Sequence, residues 1–446
     1  MRTDTLRARL RDIVQPASRP APVAPVVPSA PGPVAGPGAL EAGEALGGAW
    51  RDTRAGRSFV VSRRYGPDAV YGRHRIGDFH DALSRAVGGT RLFSTPAAEP
   101  PFVFFDLETT GLNGGAGTYA FLIGCGRFDD DGGFVVEQHV MTGYGSERAM
   151  LRALADDLEN AGALVTFNGK SFDAPLIETR YLFHRAESPC RALPHFDVLH
   201  PARRFWGARC PDSCSLIALE QQILGAKRHG DIPGFEIPAR YFQFVRSGDA
   251  RPLLPVLEHN RLDLVSLAGL TARLLTLAER GADGTDDAWE ALALGYVYER
   301  GAVPWRAEQA FERAVTLSGA ASLRQVRAEA LRALAVEARR SRRHDLAAAR
   351  WQAVIDVPGC PLPMAREAAQ ALAIHHEHRV RDLEAARRFA LRSLEGERKV
   401  AWGDAVRHRL ARIERKLVSE RRPLLPPSSP SQPACAAPPS APRTSS

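Results

Sequence analysis

A run of apolar residues that closes on acid constrains this chain more than any other feature: Phe102-Val103-Phe104-Phe105-Asp106-Leu107-Glu108-Thr109-Thr110-Gly111. An apolar run closed by glycine reads as a buried β-strand. Side chains alternate faces along a strand, which puts Asp106 and Glu108 on one face and Leu107 on the other. Two carboxylates on one face of an interior strand repel each other and are costly to desolvate unless positive charge sits between them. A divalent cation meets that need; a solvated strand end is the plainer explanation.

Two further acidic positions extend the pattern. In Leu164-Val165-Thr166-Phe167-Asn168-Gly169-Lys170-Ser171-Phe172-Asp173 a strand breaks at Asn-Gly. A helix is expected to begin near Asp173, with Pro175 in its first turn. An Asp there also fits an ordinary N-cap. In Val256-Leu257-Glu258-His259-Asn260-Arg261-Leu262-Asp263-Leu264 the apolar positions have helical spacing. His259 and Asp263 then lie one turn apart on a shared face, as a surface pair also would.

Taken in order, Asp-x-Glu, Asn-Gly-x-x-Phe-Asp and His-x-x-x-Asp resemble the three exonuclease motifs of the DEDD superfamily, which has the ribonuclease H-like fold. The chain is most similar to the YprB-type branch over roughly residues 95–275. Asp106–Leu112, the Gly114-Gly-Ala-Gly-Thr-Tyr119 stretch, Asp231-Ile-Pro-Gly234, Ile237-Pro238 and His259-Asn260 carry that resemblance. The third motif departs from the superfamily pattern. A histidine base normally lies five residues before the last Asp and a tyrosine four before it; here His259 is at four and Glu258 at five.

The resemblance implies an α/β ribonuclease H-like exonuclease domain, a mixed sheet flanked by helices, acting 3′ to 5′ on nucleic acid. DNA is favoured over RNA. Hydrolysing a phosphodiester needs an activated water and a stabilised leaving alkoxide, which two metal ions about 3.5–4 Å apart can serve. Asp106, Glu108, Asp173 and Asp263 are the expected ligands of two Mg²⁺ or Mn²⁺ ions, which prefer hard oxygen donors. His259 is the expected general base. Backbone amides around Thr109, Gly111 and Leu112 are expected against the terminal nucleotide. Asn168, Lys170 and Phe172 are candidate contacts to sugar or base, phosphate and a stacked base; Phe172 reads equally as a core aromatic.

The rest of residues 96–278 fits an alternating order. Strands are expected over 118–128 and 133–142, joined by an acidic hairpin tip at Asp129-Asp130-Asp131. A helix capped by Ser146 follows, then a strand at 163–167, a helix at 174–184 and a short strand near 196–199. Asp197 ends that strand and is left outside the four-carboxylate set. Cys210 and Cys214 form a lone pair with no second pair at zinc spacing, although His195, His200 and His229 are near in sequence.

Outside this domain, residues 1–48 hold a short amphipathic stretch and a Pro/Ala/Gly-rich linker, and 422–446 form a Pro/Ser-rich tail; both are expected to be disordered. Residues 49–95 read as an extension with a strand around Phe59–Val61 and a helix around 78–87. Residues 286–417 read as an all-α domain of tetratricopeptide-like repeats. Leu294-Gly295-x-x-Tyr298 with Phe311, Leu334-Ala335 with Trp351, and Leu372-Ala373 with Phe389 echo one another at intervals of about 40 residues, against the usual 34 or so. Such a solenoid offers a concave face to a protein partner or a basic track to nucleic acid; the resemblance implies a superfamily-2 helicase and DNA repair.

The net charge of +8 suits a polyanionic ligand held by counterion release. The 6 scattered cysteines fit a reducing cytoplasm. No apolar run reaches roughly 18 residues, so a soluble cytoplasmic protein without membrane contact is expected. A non-catalytic nucleic-acid-binding scaffold and a structure-selective endonuclease remain the alternatives.

Overall fold

The computed structural model describes residues 43, 45–85, 87–111, 117–210, 213–395 and 400–420. Residues 1–42, the tail from 421 and most of the glycine-rich stretch, Leu112 included, lie outside the described residues.

The acid-terminated run forms an interior strand of a seven-stranded sheet. In chain order the strands are β1 (Ala49–Thr53), β2 (Gly56–Tyr65), the short pair β3 (Val70–Tyr71) and β4 (His74–Arg75), then β5 (Phe102–Thr109), β6 (Ala120–Phe128), β7 (Phe134–Val140), β8 (Ala163–Thr166) and β9 (His195–Asp197). The main sheet runs β1-β2-β7-β6-β5-β8-β9, and β3 and β4 pair only with each other. Neighbours are antiparallel from β1 through β5 and parallel across β5-β8-β9. Short turns join β1 to β2 and β6 to β7, and a helical crossover joins the parallel pair β8 and β9. The sheet is therefore mixed, as expected, with helices on both faces.

The helices of this part are α1 (Ile76–Arg85), α2 (Glu147–Asp157), α3 (Asp173–Phe183), α4 (Leu199–Trp206), α5 (Leu216–Leu219), α6 (Ile237–Ser247) and α7 (Leu254–Arg280). Alternation along β5 sends Val103, Phe105 and Leu107 into one core with α2, α3 and α6. Phe102 and Phe104 enter the opposite core with α1, α4 and most of α7. Helix α7 starts in the first core with Val256 and Leu257 and continues in the second from Leu264. The turn between, which carries His259, Asn260 and Asp263, therefore passes the acidic end of β5.

Local sequence explains most boundaries, with one correction. Ser146 precedes α2 but does not cap it: its hydroxyl donates to the Gly143 carbonyl at 2.8 Å. The helix is instead tied to α3 by its first residue, because buried Glu147 accepts from Arg180 Nε at 2.6 Å. The tip after β6 is a solvated turn in which Asp129 accepts from the amides of Asp131 and Gly133. Residues 49–65, read from the sequence as an extension, continue the sheet: β2 pairs with β7 from Phe59–Val140 to Tyr65–Phe134.

The C-terminal part is a stack of antiparallel helix pairs. These are α8 (Ala288–Arg300) with α9 (Pro304–Leu317), α10 (Arg324–Arg340) with α11 (His344–Asp356), and α12 (Leu362–His375) with α13 (Leu383–Leu394), followed by α14 (Val400–Glu420). The repeated small-plus-aromatic pattern has a steric cause in the first pair. A Cβ on Gly295 would fall 2.3 Å from the Phe311 ring, so only glycine lets that ring close the pair. The second pair does the same with Ala335 and Trp351 in one core. The core does not break between the two parts: Phe205 and Trp206 pack in one cluster with Ala291, Leu294 and Phe311. Buried Glu290 fastens the junction, accepting from Trp206 Nε1 at 2.9 Å, Arg273 at 2.8 Å and Thr285 at 2.6 Å. No described helix is long and apolar enough to cross a membrane.

Candidate functional site

The site is built where the C-terminal end of β5 meets the first turns of α7. Asn260 is the joint: its Nδ2 donates to Asp106 Oδ2 at 2.8 Å, and its Oδ1 accepts from Gln138 Nε2 at 2.8 Å. Gln138 also donates to the Leu257 carbonyl, locking strand to helix. Asp106 pairs with Gly124 on β6. A Cβ there would sit 2.3 Å from Asn260 Oδ1, so this glycine makes room for the helix to approach.

Asp106 and Glu108 feel the charges of the other two predicted carboxylates. Burial pushes Asp106 well above the carboxylate range, and the charges of Asp263, Glu108 and Asp173 add to it. Glu108 is raised in the same way by burial and by Asp263 and Asp173. Burial and neighbouring Asp197 push Asp173 up to about 7. Asp106, Glu108 and Asp173 form no ion pair with Lys or Arg among the described residues. Half-buried carboxylates that lack a counter-charge are a donor set of the kind a hard divalent cation satisfies.

Asp263 differs from the other three, because a guanidinium already lies on it. Arg228, its side chain only 4% exposed, donates to Asp263 Oδ1 at 2.5 Å. The same guanidinium reaches Glu220 at 2.6 Å and Asp231 at 3.2 Å. Among the described residues no group of three or more His, Cys, Asp or Glu side chains is drawn together to hold a metal ion.

His259 is nearly buried and carboxylate-oriented. Its Nδ1 lies 2.8 Å from Asp231 Oδ1, and its Nε2 lies 3.5 Å from Asp263 Oδ2. A carboxylate on Nδ1 favours the proton there, leaving Nε2 as the acceptor in the neutral ring.

The remaining predicted residues divide. The Thr109 hydroxyl donates to the Gly111 carbonyl at 2.8 Å, and the Thr110 amide is committed to Tyr119 O at 3.0 Å. The amide row expected around 109–112 is thus partly spent on the turn itself. Asn168 (φ 70°) and Lys170 sit on a loop whose amides donate to Asp197 at 2.8 and 3.1 Å. Asp197 shapes that loop. Asp173 is the first residue of α3 and Phe172 precedes it. The Phe172 ring is 60% exposed, so it is no core aromatic.

Sequence reasoning assigned no role to Asp231, Arg228, Glu220, Gly124 or Gln138. Only the Asp231-Ile-Pro-Gly stretch of the resemblance signalled one of them. Phe235, 74% exposed a few residues after Asp231, is a second exposed ring that was not singled out.

A family model described as the RNase_H superfamily (RNase_H_2) matches residues 103–275, the span from β5 through most of α7. Residues 103–275 form a ribonuclease H-superfamily domain of the YprB type. The chain is 41% identical over 170 residues to "Uncharacterized protein YprB" of Bacillus subtilis (strain 168). That match covers 37% of this chain and 40% of the relative's length. The superfamily is one of nucleic-acid hydrolases that generally use divalent cations such as Mg²⁺. The matched span of the ribonuclease H-superfamily domain contains Asp106, Glu108, Asp173, His259 and Asp263, together with Asp231 and Arg228.

Proposed function

We propose that the chain is a divalent-cation-dependent exonuclease that removes nucleotides from the 3′ end of nucleic acid, DNA in preference to RNA. One observation carries the reading. Asp173 at the start of α3 and Asp263 in the first turns of α7 both raise the proton affinity of Asp106 and Glu108 at the end of β5, beside a carboxylate-oriented histidine.

Asp106, Glu108, Asp173 and Asp263 would hold Mg²⁺ or Mn²⁺, two ions in the fullest form of the site. Bound there, divalent cations supply Lewis acidity to the attacking water and to the leaving oxygen. His259 accepts the proton of that water at Nε2 while Asp231 holds Nδ1. Arg228 is a positioning residue, since it braces both Asp231 and Asp263. Thr109, Gly111 and Leu112 would contact the terminal nucleotide. Asn168 and Lys170 meet sugar or phosphate, and the exposed Phe172 ring offers a stacking face. The helical pairs, read as tetratricopeptide-like, would dock a protein partner such as a superfamily-2 helicase in DNA repair.

A second reading is favoured by Arg228 itself. A guanidinium on Asp263 is a built-in substitute for a cation, as a non-catalytic nucleic-acid-binding scaffold would have. End-labelled single- and double-stranded DNA and matched RNA, incubated with Mg²⁺, Mn²⁺ or EDTA, separate these. A ladder shrinking from the 3′ end, dependent on metal and lost in Asp106→Asn, is expected. Internal cuts would favour an endonuclease. Binding without cleavage in any metal would leave the scaffold.

A further inference from the structure

A cavity of 880 Å³ opens where the β3-β4 turn, α1, the end of α7 and the first repeat helix meet. None of the carboxylates proposed above lines it. Its floor is apolar, with Phe79, Ala82, Leu224 and Ala272. Its walls carry five guanidinium groups, from Arg73, Arg85, Arg209, Arg273 and Arg280.

Pairing decides what such a cavity can take. Arg209 is matched to Asp287 at 2.5 Å and Arg273 to Glu290 at 2.8 Å. The other two wall carboxylates are engaged by arginines outside the cavity lining, Asp286 by Arg313 and Asp78 by Arg75. Arg85 and Arg280 have no hydrogen-bond or ion-pair partner among the described residues. Arg73 reaches only the Ile223 carbonyl, at 3.2 Å, with its stem laid over Gly225, where a Cβ would meet Arg73 Nε at 2.6 Å. The excess is therefore three guanidinium groups contributed by three different elements. On the same wall, burial first and then the charge of Arg73 lower the proton affinity of His74, against an opposing pull from Asp78.

We propose that this cavity is a second, non-catalytic anion site that binds a phosphate ester through Arg73, Arg85 and Arg280, with the attached base against the apolar floor. Guanidinium forks match phosphate oxygens two at a time, and a space of this size accommodates a nucleotide with room to spare. The phosphate can come from a free nucleotide or from a nucleic-acid strand. The proposal does not depend on the chain being a nuclease.

The test uses the full chain carrying Asp106→Asn, so that no probe is consumed. Binding of dye-labelled AMP and of a short dye-labelled single-stranded DNA is compared in two charge-matched variants. One is R85A/R280A in the cavity. The other is R339A/R388A, exposed arginines of the repeat helices. All four side chains are exposed and lack hydrogen-bond or ion-pair partners among the described residues, so neither variant leaves a buried group unpaired. Losing two charge-assisted contacts is expected to weaken binding by roughly tenfold or more in the cavity variant only. Weakened AMP binding identifies a free nucleotide, and weakening confined to DNA identifies a strand. Equal losses in both variants, no loss in either, or no binding of either probe to the parent chain would overturn the proposal.

Discussion

Arg228 is the residue on which the site turns. A buried cation touching Glu220, Asp231 and Asp263 cannot be removed without stranding negative charge. Arg228→Met is expected to destabilise the metal-free protein by about 3–5 kcal/mol, the usual consequence of breaking a buried pair. If divalent cations bind the same carboxylates, Mg²⁺ or Mn²⁺ should recover more stability in this variant than in the parent. Thermal unfolding in EDTA and in metal measures both; an equal loss in the two conditions would separate Arg228 from the metal site. Asp173 supplies a second prediction. Its carboxyl is pushed up from its ordinary 3.8 to about 7. Its charged form is thus disfavoured by folding, so metal-free stability should decline as pH rises from about 4 toward 7. A cation must displace that proton, so affinity should rise with pH through about 7 and binding should release protons. Calorimetric titration with Mn²⁺ on either side of neutrality, in buffers of different ionisation enthalpy, would read this, and Asp173→Asn should lessen the proton release.

At the scale of elements, the approach of α7 to the sheet depends on Gly124. Gly124→Ala would place a Cβ 2.3 Å from Asn260 Oδ1 and 2.8 Å from Leu264 Cδ1. Overpacking of that kind costs about 1–3 kcal/mol. Here it should also detach Asn260 from Asp106, so cleavage should fall further than stability does. Denaturant unfolding beside a cleavage assay tests the two together. This pair also marks where sequence reading stops. Alternation along 102–109 was enough to put Asp106 and Glu108 on one face, and helical spacing to put His259 beside Asp263, because both are local geometry. Gly124 meeting Asn260, or Arg228 meeting Asp263, depends on tertiary contacts between distant segments, and no local period encodes them. Phe172 was ambiguous for a related reason: a ring just before a helix is buried or exposed according to what packs over it. Ser146 misled because its hydroxyl had a nearer acceptor in the preceding turn.

For the whole molecule, the decisive joint is Glu290, which gathers Trp206 and Arg273 from the sheet-bearing part and Thr285 from the connection. Glu290→Ala leaves an indole N–H buried without a partner, and it is expected to loosen the first helix pair from α4 and α7. Limited proteolysis should then cut at 281–287 while the sheet stays protected; unchanged cleavage kinetics would mean that the apolar contacts alone hold the two parts.

The pairing of β2 with β7 carries a practical lesson for anyone trimming the chain. A fragment cut to residues 103–275 would keep every proposed catalytic side chain yet strip β1 and β2 from the sheet, baring the hydrogen-bonding edge of β7 from Phe134 to Val140. An apolar edge left raw is a template for other copies of itself. It would also lose Tyr71, whose hydroxyl lies 2.7 Å from Ser266, itself bonded to the Glu220 that holds Arg228. The smallest useful piece of this protein therefore begins upstream of residue 49, and a shorter one should be recovered as aggregate.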